Sequence, residues 1–89
     1  MIILLEGKVK EIKENGVWVI TDYNKEIFLI NSYKNCVFDF NKLDLRNGDR
    51  ISTLGYPLSK SVFQPSFYVE NETRNKSVYS ANPEIDLTT

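Results

Sequence analysis

GVWVITDYNKEIFLIN, residues 16–31, and LRNGDRISTLGYP, residues 45–57, decide the fold of this chain. The first holds two β-branched and aromatic runs, VWVIT and EIFLI, joined by the turn formers Asp22, Tyr23, Asn24 and Lys25. That is the pattern of a hairpin. Upstream, polar and apolar residues alternate from Glu6 to Lys10, with Glu6, Lys8 and Lys10 on one face and Leu5, Gly7 and Val9 on the other. This reads as a strand kinked at Gly7. Ile12 breaks the alternation, which predicts a bulge or the end of regular pairing near Glu11. Asn15-Gly16 carries a tight-turn signal. Three strands therefore form a meander.

Downstream of the hairpin, residues 31–36 read as loop, and in FDFNKLDLR the spacings of Asp39 to Lys42 and Leu43 to Arg46 suit a helix of one or two turns, or merely a turn. Asn47-Gly48-Asp49 is a second tight turn. RISTLGY is a fourth strand that stops at Tyr56-Pro57, because proline has no N–H to give a ladder. Residues 58–65 form a polar connection with Val62 and Phe63 embedded, and SFYVENE supplies a fifth strand. After Glu72 no period remains, so the reading divides the chain into a barrel at 1–72 and a flexible C-terminal tail at 73–89.

The chain has 89 residues and a mass of 10.3 kDa, room for one domain close to the lower size at which a single core suffices. With one cysteine and no histidine, an internal disulfide is excluded and zinc loses its usual ligands. Cys36 reads as a plain thiol in a reducing compartment. The apolar MIILL ends at Glu6, short of a signal-peptide core or membrane span, which leaves the cytoplasm as the expected location and no membrane partner. The Asn71 and Asn75 triplets then match glycosylation acceptors by chance. No glycine-rich phosphate loop and no catalytic dyad is present, so neither a cofactor nor an enzyme is expected.

Three meander strands, a short helical connection and two more strands are the order of the OB-fold barrel, and EGKVKEI with LRNGDRISTLGY resembles that family over residues 2–72. Closure as an SH3-like barrel is the alternative. The resemblance implies an all-β, five-stranded OB-fold-like barrel, with a short helix between its third and fourth strands and a flexible C-terminal tail. It also implies a binding face across strands two and three for single-stranded nucleic acid, DNA before RNA. Both faces of the hairpin are apolar. If Val17, Val19, Ile27 and Leu29 point inward, Trp18, Ile20, Phe28 and Ile30 point out, and a loop of Tyr23-Asn24 or of residues 23–25 decides which strand-three residue meets Trp18.

The expected nucleic-acid residues are Trp18 and Phe28 as a stacking pair, the hairpin tip Tyr23 and Lys25, Lys8 and Lys10 on the adjacent strand, Tyr33 and Lys34 beyond strand three, and Lys60 and Phe63 in the later loop. Each has an ordinary alternative: core or dimer packing for the rings, solvation for the lysines. Residues 1–69 carry nine Lys and Arg against eight Asp and Glu, which argues against a strong phosphate clamp. Residues 70–89 carry two against four. The tail reads as plain disorder or as a docking peptide around Ile85 and Leu87. The competing function is a protein-interaction module, a homodimer or an accessory protein docked on a larger one through the hairpin face. Viruses and mobile elements commonly encode small Asn-, Lys- and Ile-rich chains of this kind.

Overall fold

Strand β1 (Ile3–Lys13) pairs on one edge with β2 (Gly16–Thr21) and on the other with β6 (Arg50–Pro57), and the handover between them falls at Gly7, opposite both Thr21 and Ile51. The computed structural model describes residues 2–33 and 36–79. A Cβ at residue 7 would stand 2.8 Å from Thr21 Cα, so glycine is what allows β1 to serve two neighbours in so tight a curve. β2 pairs with β3 (Glu26–Ile30), β6 with β7 (Val62–Asn71), and β7 returns to β3 in parallel, matching Phe28 with Val62 and Leu29 with Phe63. That last pairing closes a five-stranded mixed barrel, consistent with an OB-like barrel. Among the described residues no helix is long and apolar enough to cross a membrane.

The bulge expected near Glu11 is present: the register of β1 with β2 shifts between Val9 and Glu11. The first turn lies one residue earlier than the Asn15-Gly16 signal suggests. Lys13 pairs with Gly16, leaving Glu14 and Asn15 as the connection. The second hairpin also turns earlier than either expected loop. Thr21 N–H donates to Lys25 O (2.8 Å), and Asn24 adopts φ 70°, the left-handed conformation that lets a three-residue loop rejoin its strand. This register sets Trp18 opposite Phe28.

Between β3 and β6 the chain forms a two-stranded ladder, β4 (Ser32–Tyr33) with β5 (Cys36–Val37), where only loop was expected. A 3-10 turn follows over Phe40–Leu43, capped by Asp39, whose Oδ1 accepts from Asn41 N–H at 3.1 Å. The Asn47-Gly48-Asp49 turn is as expected, with Gly48 at φ 93°.

Two expectations for the C-terminal part are corrected. β7 starts at Val62, not Ser66, because Pro65 sits opposite Gly55 beside a register shift in β6, where the ladder is already irregular. The connection from β6 shrinks to four residues, 58–61. Beyond the expected boundary at 72, β8 (Lys76–Tyr79) pairs with β7 as a sixth strand and buries Val78 against the core. Residues 80–89 lie outside the described residues.

Val17, Val19, Leu29, Ile51 and Val69 fill the barrel with no solvent exposure, and Phe38 and Leu43 from the connection close one end. Each such side chain contributes about 1.5–3 kcal/mol by leaving water. The mouth beside Leu43 is tied by polar groups. Asp49 accepts from Asn71 Nδ2 (2.9 Å), Arg74 Nε (2.8 Å) and the Arg46 N–H (3.1 Å), while Asn71 Nδ2 also donates to Leu43 O (2.9 Å).

Candidate nucleic-acid interface

Alternation along β2 and β3 sends Val17, Val19 and Leu29 into the barrel, so the residues between them must face outward. Trp18 and Phe28 are direct cross-strand partners there, half-buried, with ring centroids 5.1 Å apart and planes tilted by 57°. Such a tilted pair is a favourable aromatic geometry and still leaves ring surface toward solvent. Gly16 permits it, since a Cβ at that position would lie 2.8 Å from Phe28 Cζ. Phe28 is fixed from the other side by its N–H, which donates to Ser61 O at 2.7 Å. The 58–61 loop is thereby held against the aromatic pair.

Cations surround this platform unevenly. Lys8 is exposed on β1 opposite Ile20, Lys25 is exposed at the end of the hairpin loop, and Lys60 is exposed next to Ser61. Among the described residues none of these three lysines is in an ion pair. Lys10 differs, because its Nζ meets Glu26 Oε2 at 2.9 Å across the outer face of β2. That exposed pair adds little stability, yet it removes a free cation from the face. Tyr23 projects from the hairpin tip, 70% exposed.

Phe63 is corrected outright. It is 2% exposed and belongs to the barrel core, because its position opposite Leu29 in the β7–β3 ladder puts it on the inner side. Lys34 and the side chain of Tyr33 lie outside the described residues.

Sequence reading missed the groups that hold the hairpin tip. Arg50 grips Asp22 with two hydrogen bonds, Nη1 to Oδ1 at 3.0 Å and Nη2 to Oδ2 at 2.6 Å, and its Nε reaches Glu72 Oε1 at 3.2 Å. The Arg50 hydrogen bond is the main reason the Asp22 carboxyl lies below its ordinary range, with a smaller pull from the Lys8 charge. Hydrogen bonding to Asp22 in turn raises the Arg50 pKa. Charge alternation along each strand gives no warning of this fork, which joins positions 28 residues apart.

Chemically, the face offers two aromatic rings, flanking apolar Ile20 and Ile30, and three ammonium groups outside the ion pairs of the described residues. It can stack and attract anions. Among the described residues no three His, Cys, Asp or Glu groups gather as a metal site. Comparisons with protein-family models, with curated proteins and with solved structures found no match to this chain.

Proposed function

We propose that this protein is an OB-type barrel that binds single-stranded nucleic acid, DNA in preference to RNA, across the outer face of β2 and β3. The observation carrying this reading is the Trp18–Phe28 pair, two aromatic rings in contact on an outward barrel face where neither is needed to fill the core. The strand order adds support: β1 between β2 and β6, with β3 parallel to β7, is the connectivity of an OB barrel. Bases stack on Trp18 and Phe28, and Lys8, Lys25 and Lys60 meet the phosphates. Lys10 contributes only if Glu26 is displaced, and Phe63 acts through the core alone.

The second reading is a protein-interaction face or homodimer. It is favoured by the neutralisation of Lys10 by Glu26 and by exposed apolar side chains, Leu4 at 52% and Ile2 at 43%, on β1 and its N-terminal extension. Trp18 is the only tryptophan, so its fluorescence separates the two readings. Titration with oligo-dT is expected to quench it saturably while a matched duplex does not. No quenching by either, together with a mass that grows with concentration, would replace the nucleic-acid reading with the interaction reading.

A further inference from the structure

The bulge in β1 does more than bend the strand. Val9 faces the core opposite Val19, and after the shift at residues 9–11 it is Ile12, opposite Val17, that returns to the inner side. By then β1 has run past the barrel mouth. Ile12 is therefore 46% exposed although Val17 beside it is fully buried. Beneath it opens a groove of about 420 Å³, between the β1–β2 turn and the connection that carries the 3-10 turn. This lies within the size range of small-ligand and side-chain pockets. Hydrogen bonds from Asn31 to the turn, N–H to Asn15 O at 3.1 Å and Nδ2 to Glu14 O at 3.3 Å, fix one wall.

Ile12, Phe38, Phe40 and Leu45 make the apolar lining, and Lys13, Glu14, Asp39 and Asp44 are its charged residues. Lys13 is held by Glu11 at 2.9 Å and Asp44 by Arg46 at 3.3 Å, while Asp39 caps the 3-10 turn. Among the described residues Glu14 has no ion-pair partner. Setting Glu11, Glu14, Asp39 and Asp44 against Lys13 and Arg46 leaves two negative charges at a slot of mixed polar and apolar lining. Lys42, on the same turn, is exposed and does not line it.

We propose that this groove docks a lysine or arginine side chain of a basic peptide segment in a protein partner. The methylenes of such a side chain lie along Ile12, Phe40 and Leu45, and its charged head meets Glu14 and Asp44. A wholly apolar insert would desolvate those carboxylates without replacing their hydrogen bonds. Phosphate is repelled by the net charge, and so are residues 84–87 of this chain, which carry Glu84 and Asp86. The lining of the groove holds neither Trp18 nor Phe28, so the proposal does not rest on the aromatic face, although Gly16 borders both and Glu11 pairs with Trp18.

The experiment is a titration of the full ¹⁵N-labelled chain with the blocked tetrapeptide Ac-Lys-Leu-Lys-Leu-NH₂, with Ac-Glu-Leu-Glu-Leu-NH₂ as control. Saturable amide shifts at Ile12, Lys13, Glu14, Asn31 and Asp44 with the basic peptide only are expected. The double variant Glu14→Gln, Asp44→Asn should weaken them about fivefold or more while its own spectrum stays folded. Shifts spread evenly over Asp22, Glu70 and Glu72 would overturn the proposal. So would an unchanged affinity in the double variant, or the same groove shifts with the acidic peptide or with oligo-dT.

Discussion

Phe28 and Phe63 stand in the two strands that close the barrel, one step out of phase: Phe28 lies beside Val62, and Phe63 beside Leu29. One step is enough to send one ring outward and the other into the core. Phe63→Ala should therefore cost about 3–5 kcal/mol of stability, read as a lower urea midpoint. Trp18→Ala should leave the barrel folded and weaken oligo-dT binding by about tenfold or more, in line with the worth of one stacked base. If instead Trp18→Ala unfolds the protein while Phe63→Ala is mild, the assignment of faces is inverted. Urea midpoints and the anisotropy of a labelled oligo-dT, needed because Trp18→Ala removes the only tryptophan, decide it on the same two variants.

At the scale of elements, two carboxylates do the joining. Burial works to raise the Asp49 pKa, but hydrogen bonds from Asn71, Arg74 and the Arg46 N–H outweigh it, so the group ends below its ordinary 3.8. Asp22 is lowered too, chiefly by the Arg50 hydrogen bond. In both cases the unfolded chain holds the proton more tightly. The stability they contribute is then complete above the ordinary value and disappears as pH falls through the lower, folded values. Urea midpoints should be level from about pH 5 upward with respect to these groups and fall below about pH 4. Asp49→Asn is expected to cost roughly 1–3 kcal/mol at neutral pH and to flatten that acid limb. An acid limb that keeps its full depth in an Asp49→Asn, Asp22→Asn chain would assign it to other groups.

The same elements show what could be read from residues and what could not. The meander, the bulge near Glu11 and the Gly48 turn are local, written in alternation and turn chemistry, and they fall where the residues place them within a position or so. The first half of β7 is not local. Pro65 reads as a breaker until Gly55 and the irregular ladder opposite are known, and with it went the inward facing of Phe63. β8 is held by pairing to β7 and by Val78 packing, neither visible in KSVY. In the candidate site the strand membership of Trp18 and Phe28 is legible from their apolar neighbours, but their pairing is not, because the hairpin turns earlier than either loop that the residues suggest. The Lys10–Glu26 and Arg50–Asp22 pairs are not, because each spans strands whose register the sequence leaves open.

For the molecule as a whole, the charge balance sets how nucleic acid should be bound. A near-neutral body with its arginines and Lys10 engaged by carboxylates leaves Lys8, Lys25 and Lys60 as the cations around the platform among the described residues. Three phosphate contacts on a single strand release few counterions, so log affinity against log salt should have a slope near −2. Most of the free energy must then come from stacking, which salt screens poorly. Lys8→Gln, Lys25→Gln and Lys60→Gln together should bring the slope close to zero while a residual, salt-insensitive affinity persists. Trp18→Ala should do the reverse, lowering affinity at every salt concentration with the slope retained. A slope of about −3 or steeper in the wild-type chain would mean that Lys10 or Arg50 abandons its carboxylate on binding, and Glu26→Gln would then tighten binding at low salt. Titrations of labelled oligo-dT read by anisotropy at 50, 100 and 200 mM salt, on the wild-type, triple-lysine and Trp18→Ala chains, separate the charge and stacking contributions.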